Sequence, residues 1–268
     1  MIYNFLLNQY FRHVKKSGWF GNYPTWQAAT DDCKGYADDT IFQKVVAATR
    51  LVRDQKAAFE RDGMAFQTPE ADVDLLQVLK KCHENNPDKT KLTVLDFGGA
   101  LGSSFFQNKS FWKNENIELE NWVVVEQKHF VEIGKKEFEQ DILKFEYDLE
   151  TAIVEYSPDI LLFNSVLQYL ESPKMFFKIA ESAKIPMIFI ARTPSFSADC
   201  AEQSRVTKQI ISPKIYAANY ASWVFGNDFW NDLRIKYQVV EQKELLYGRY
   251  LVGNEPLFLK DCLLKLDN

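Results

Sequence analysis

The sequence is short of the residues that build metal sites and disulfide frameworks. Its 268 residues include four cysteines and three histidines. Cys33, Cys82, Cys200 and Cys262 stand far apart and form no C-x-x-C pair, and the histidines are equally scattered. No zinc spacing can be read from them, and no metal is expected. Reduced thiols in a cytoplasmic protein are the simplest reading. An excess of positive charge is also missing. Lys and Arg number 32 against 37 Asp and Glu, giving a formal net charge of −5 and a pI near 5.4. That balance speaks against a nucleic-acid partner, which favours a basic face. No run approaches the ~20 consecutive apolar residues of a membrane-spanning helix. The opening "MIYNFLLNQYFRHVKK" carries its charges after its apolar part, the reverse of a secretory signal. Ile2, Phe5, Leu6, Phe11 and Val14 fall roughly on one helical stripe, suited to packing on the rest of the chain. Internal repeats and low-complexity tracts are lacking too.

What remains is a globular composition, 46% hydrophobic and 26% charged, with a high aromatic content of 15%. Residues 1 to about 88 read as a helical N-terminal extension. "TIFQKVVAATRLVRDQKAAFERDG" shows mostly 3–4 apolar spacing up to Gly63, and "DVDLLQVLKKCHENNP" is a second helix ending before Pro87. Between them lies "SGWFGNYPTWQAATDDCKGY", read as an ordered loop that serves either as a lid or as packing. From residue 89 onward the period changes. "LTVLDF", "WVVVEQ", "ILKFEY", "DILLFNSV" and "IPMIFIAR" read as strands, with helical segments at 103–113, 128–138, 149–156 and 173–184. Strands alternating with helices predict a mostly parallel α/β sheet. Residues 193–220 have loop and short-strand character. "ASWVFGNDFWNDL" reads as a helix, and "KYQVVEQKELL" and "EPLFLKDCLLKL" as closing strands around Gly253 and Asn254.

The richest motif is "VLDFGGALGSS", residues 94–104. A strand ends in Asp96, and Gly98, Gly99 and Gly102 follow before a helical pattern begins. Such a turn lets the backbone approach a nucleotide-like ligand. The dinucleotide fingerprint G-x-G-x-x-G fits poorly, because Ala100 and Ser103 stand where glycines belong. The looser pattern D-x-G-x-x-x-G of S-adenosylmethionine (AdoMet) sites fits at Asp96, Gly98 and Gly102. Asp96 would then lie near the cationic amino-acid end of the cofactor, directly or through water. The second strand ends in Glu126, a carboxylate suited to the two ribose hydroxyls. Gln127, Tyr147, Asp148 and Asn164, at or just beyond strand ends, complete the candidate cofactor set. A structural glycine turn and a dinucleotide site remain the alternatives.

"LDFGGALGSSFFQN", "WVVVEQKHFVEIGK", "PDILLFNSVLQYLESP" and "IARTPSF" occur in that order, preceded by "GNYPTWQAA" and "RDQKAAFERDG" and followed by "RVTKQ" and "IYAANYASW". Over nearly its whole length the chain resembles a bacterial family of class I AdoMet-dependent methyltransferases associated with surface-polysaccharide gene clusters. The resemblance implies a Rossmann-like seven-stranded sheet with an antiparallel last strand, AdoMet as cofactor, and methyl transfer to a small-molecule or glycan-linked acceptor. It supplies neither the acceptor nor the oligomeric state. The N-P-P-Y type motif of nucleobase and glutamine methylation is missing after the fourth strand. His129 is the candidate general base. Arg192 could anchor an anionic acceptor group. Thr193, Arg205, Gln209, Tyr216, Tyr220 and Trp223 are the candidate acceptor wall. A scaffold that keeps the fold without catalysis, and a nicotinamide-dependent oxidoreductase, are the rival functions.

Overall fold

The computed structural model describes residues 10–11, 17–33, 39–86, 89–197, 199, 203–213, 215 and 218–267. Ile2, Phe5, Leu6 and Val14 of the N-terminal stripe, Cys200 and Tyr216 lie outside the described residues. In chain order the elements begin with strand β1 (Gly18–Tyr23), helix α1 (Trp26–Asp31) and helix α2 (Asp39–Arg53). A short hairpin of β2 (Phe59–Arg61) and β3 (Met64–Phe66) comes next, then α3 (Val73–Glu84). An alternating stretch follows: β4 (Leu92–Phe97), α4 (Ser103–Asn108), β5 (Leu119–Val125), α5 (Lys128–Ile133), β6 (Leu143–Glu146), α6 (Leu149–Tyr156), β7 (Ile160–Asn164), α7 (Pro173–Ser182) and β8 (Met187–Ser195). The chain ends with β9 (Arg205–Ile210), β10 (Asn219–Val224), α8 (Asn227–Leu233), β11 (Tyr237–Val252) and β12 (Glu255–Leu266).

Seven strands form one sheet in the order β11-β12-β8-β7-β4-β5-β6. The pairs β4–β5, β4–β7 and β5–β6 are parallel, and the edge strand β11 runs antiparallel to β12. The central strands are mostly apolar because helices cover both faces of such a sheet. Leu92, Val94 and Leu95 of β4, Trp122 to Val124 of β5 and Ile160 to Phe163 of β7 are all fully enclosed. Side chains start two of the flanking helices. Asp72 accepts from Leu75 N at 3.1 Å and Asp148 from Thr151 N at 2.8 Å, satisfying amide groups that the helix itself leaves open.

The chain divides into two compact units. The first comprises Asp39–Asn164 with Ile179–Phe189, and the second the described residues of Met1–Asp38, Ser165–Lys178 and Ile190–Asn268. Within the second, β1 and β10 both pair antiparallel with β9, placing Trp19 and Tyr220 on either side of Gln209. Trp19, Phe196, Val224, Val252 and Leu257 make one apolar cluster there, and Ala29, Val206 and Ala221 another.

The expectation of an all-helical stretch before residue 88 is corrected in two places. The ordered loop contains a strand, β1, and a six-residue helix, α1. The long helix stops at Arg53 rather than Gly63, and "FERDGMAF" folds into a hairpin. Asp62 and Gly63 both take positive φ in its turn, and Phe59 stacks on Phe66 across the strands at 4.7 Å. Cross-strand aromatic pairing outweighs a helical period carried by so few residues. In "ASWVFGNDFWNDL" the first half is strand, and the helix starts only after Gly226, at Asn227.

Candidate functional site

Parallel pairing brings the carboxyl ends of four strands to one level. Phe97 of β4 is in register with Val125 of β5 and Phe163 of β7, and Val125 with Glu146 of β6. The next residues, Asn164, Gly98, Glu126 and Tyr147, therefore stand in a row along the sheet edge. Adjacent strands lie about 4.8 Å apart, so the row extends roughly 14 Å. In doubly wound sheets this edge is where ligands sit.

The turn after β4 is held in a conformation that most residues avoid. Gly98, Ala100 and Gly102 have φ of 74°, 51° and 86°. For an L-residue such as Ala100 this is strained backbone. Gly98 N donates to Val125 O at 2.9 Å, tying the turn to β5. Gly99 has no alternative side chain, since a Cβ there would stand 2.5 Å from Asp96 Oδ2. Asp96 itself is completely buried beneath the turn and accepts from Trp122 Nε1 at 3.1 Å.

Two further carboxylates meet this turn. Glu126, partly exposed, accepts from Gln127 N at 2.6 Å, and the Ala100 amide of the turn also favours its ionised form. Loss of solvent raises its pKa to about 7, and the two amides only partly oppose that. Glu60, on β2, is 2% exposed; it accepts from Gly63 N at 2.7 Å and from the hydroxyl of Ser103, the residue after Gly102. Burial also pushes its carboxyl above the ordinary range. Sequence reading missed Glu60, because "FERDG" looked like the tail of a helix. Asn164 Nδ2 donates to Ser104 Oγ at 3.1 Å, joining β7 to the same helix start.

The remaining cofactor candidates lie farther out. Gln127 is exposed at the start of α5. Tyr147 is half exposed, with Lys135 Nζ 5.0 Å from its ring centre. Asp148 caps α6, and its hydrogen bonds to Thr151 lower its pKa. His129 is exposed, its ring edge-on to Phe42 at 4.8 Å.

The acceptor candidates belong to the other unit. Arg192 has a φ of 50°, and its amide donates to Asp261 Oδ1 at 2.6 Å. Thr193 is wholly enclosed, its hydroxyl 3.3 Å from Ala191 O. Arg205, Gln209 and Tyr220 share one face of the three-stranded sheet, by the alternation of side chains along β9 and β10. Arg205 pairs with Glu255 at 2.8 Å and lies over the Phe196 ring. Gln209 accepts from Tyr169 OH at 2.8 Å, and Tyr169 is edge-on to Tyr220. Trp223 is on the opposite face, stacked with Trp26 at 5.9 Å, and its Nε1 donates to Leu170 O at 3.1 Å. The structure thus groups Asp96, Gly98, Gly99, Gly102, Glu126 and Asn164 around one turn. It places Trp223 on the sheet face away from Gln209 and Tyr220.

The strand order, with three parallel pairs at its centre and an antiparallel edge, is that of the class I methyltransferase fold. Comparison with known proteins finds no matching family model and no matching curated relative. Solved structures with similar strand arrangements include the N-terminal domain of EvdMO1 with SAH bound, at 11% identity and a TM-score of 0.45, covering 82% of this chain and 97% of that one. Magnesium protoporphyrin IX methyltransferase from Synechocystis PCC 6803 with bound SAM is similar at 10% identity and a TM-score of 0.43, covering 97% and 96%. The [4+2]-cyclase SpnF is similar at 11% identity and a TM-score of 0.49, covering 91% and 98%. These likenesses concern the fold. Among the described residues no helix is long and apolar enough to cross a membrane, and no group of three metal-ligating side chains occurs.

Proposed function

We propose that the chain binds AdoMet along the edge from β4 to β6 and transfers its methyl group to a small-molecule or glycan-linked acceptor. One observation carries the reading. The strained turn of Gly98, Ala100 and Gly102 is tied to β5 by Gly98 N donating to Val125 O, so the turn and Glu126, the next residue, form one connected unit at the ends of two parallel strands. Glycines leave room for a ligand backbone-close to the turn, and Glu126 offers acceptors to two vicinal hydroxyls. In this reading Gly98, Gly99 and Gly102 shape the bed for the amino-acid end, and Asp96 supports the turn from below. Gln127, Tyr147 and Asp148 border the adenine, and Asn164 holds the first turn of α4. AdoMet supplies an activated methyl on a sulfonium. The protein's task is then to align an acceptor atom with that methyl at about 3 Å.

His129 is the proposed base for a hydroxyl acceptor, and Arg192 the proposed anchor for an acidic one. Arg205, Gln209, Tyr216, Tyr220, Trp223 and Thr193 are proposed as acceptor-side residues. A role in surface-polysaccharide synthesis in a bacterial cytoplasm rests on the motif resemblance alone. Because the same fold hosts unrelated reactions, the cofactor must be tested before the chemistry. Calorimetric titration with AdoMet, with S-adenosylhomocysteine and with NAD decides it. Micromolar binding of the first two and none of NAD is expected. Failure of both to bind removes the reading, and a preference for NAD replaces it with oxidoreductase chemistry.

A further inference from the structure

Resting on the AdoMet reading, we propose that Glu60, a residue of the N-terminal hairpin, is the counter-charge for the cationic amino-acid end of the cofactor. That end carries an ammonium and a sulfonium against a single carboxylate, a net positive charge, and a buried site receives it well only where carboxylate charge is left over. Of the three carboxylates at the turn, Asp96 lies near the end of β4 directly beneath Gly99, where Oδ2 accepts from Trp122 Nε1 at 3.1 Å. Glu126 stands one strand away at the end of β5, level with the ribose in the proposed pose. Glu60 is held against Ser103, immediately after the last glycine of the turn.

The state of Glu60 is what makes it informative. Its carboxylate is enclosed, and its two oxygens take one hydroxyl and one amide, both neutral donors. Among the described residues no lysine or arginine forms an ion pair with it, and the charge of the neighbouring Arg61 does not offset its burial. A buried carboxylate without an ion-pair partner is costly, and a carboxylate has about four acceptor positions, of which two are used here. Structural carboxylates escape that cost by pairing, as Asp159 does with Lys89 at 2.7 Å in the same unit. A cation delivered by the ligand would relieve Glu60 in the same way, and a charge removed from water acts with little screening. The hairpin turn at Asp62 and Gly63 fixes the side chain, since the Gly63 amide holds Oε1.

The test compares AdoMet with 5′-methylthioadenosine, which shares the adenine and ribose but lacks the amino-acid end and the sulfonium charge, on wild type, Glu60→Gln and Glu60→Asp. Loss of a charge-assisted interaction predicts that Glu60→Gln weakens AdoMet by about tenfold or more while methylthioadenosine changes by less than about twofold. Glu60→Asp keeps the charge and should hold AdoMet within about threefold of wild type. A merely structural role would weaken both ligands together. Equal loss of both, or no loss of either, overturns the counter-charge. So does a selective loss of AdoMet in Glu60→Asp, the variant that decides if Glu60→Gln does not fold. Wild-type protein that binds neither ligand instead overturns the AdoMet reading itself, a result distinct from each of these.

Discussion

The two edges of the central sheet treat buried carboxylates in opposite ways. At the amino edge, Asp159 begins β7 and accepts both Lys89 Nζ and Thr93 N, each at 2.7 Å. Its charge is matched, and its hydrogen bonds tie the start of β4 to β7. At the carboxyl edge, Glu60 is buried and Glu126 partly so, both without an ion-pair partner among the described residues, and loss of solvent raises both pKa values. One edge is satisfied within the chain; the other holds charge and strain that a ligand would complete. Open α/β sheets divide stability and function between their edges in this way.

The largest effect should come from Glu126→Ala. If two ribose hydroxyls donate to this carboxylate, its removal costs about 2–3 kcal/mol of AdoMet affinity, roughly 30- to 150-fold. The thermal midpoint of the unliganded protein should not fall by much, because the removed side chain is partly exposed and accepts the amide of its own neighbour Gln127. A folded variant with unchanged affinity would sink the ribose assignment. The amino edge should respond the other way. Lys89→Met leaves Asp159 with its backbone donor only, and the one-third exposure of the lysine moderates the loss to about 1–2 kcal/mol of stability in urea unfolding. AdoMet affinity should stay as it was. A variant that loses affinity without losing stability would erase the contrast between the edges.

The pH dependence sharpens the same contrast. The carboxyl of Glu126 is raised from 4.5 to about 7 by burial. A raised acid favours the folded, protonated state, so its contribution is full below pH 4.5 and is lost as pH rises through 7. Ligand binding has the opposite sign, since hydroxyl donors need the ionised form. Affinity for 5′-methylthioadenosine, which does not reach Glu60, should therefore rise between pH 6 and 8 and level off above, and Glu126→Gln should abolish the rise. An identical profile in that variant would assign the titration to another group.

Much of this was legible in the sequence, and the limits have physical causes. The parallel strands announce themselves because a strand covered on both faces is a mostly apolar run, as in "LTVLDF" and "DILLFNSV". The turn is legible because glycine is the cheap way to positive φ, and three occur together after Asp96. Glu126 follows from its place at the end of the next strand. The N-terminal hairpin was hidden. Its strands are three residues long, and their stability comes from the contact of Phe59 with Phe66, which no local period reports. Glu60 was lost with it. The strand β10 was hidden for a related reason: Tyr220, Ser222 and Val224 face one side only once β9 is beside them. Nor could spacing show that Trp223 would turn away from Gln209, because which face a side chain takes depends on where its strand begins.

The smallest expected effect concerns Ala100, and it asks whether the carboxyl edge holds strain as well as charge. At φ 51° a Cβ is unfavourable by about 1 kcal/mol, which glycine would relieve. Glycine also frees the unfolded chain, a cost of about 0.4–1 kcal/mol. The two nearly cancel, so Ala100→Gly should change stability by no more than about 0.5 kcal/mol. The Gly98 N to Val125 O hydrogen bond that ties the turn to β5 survives the substitution, so AdoMet affinity should remain within about threefold if that backbone geometry is what matters. A larger loss of affinity at unchanged stability would mean that the methyl group itself holds the turn open for the cofactor. The strained alanine would then be a ligand contact, and the division between the two edges would rest on shape as much as on charge.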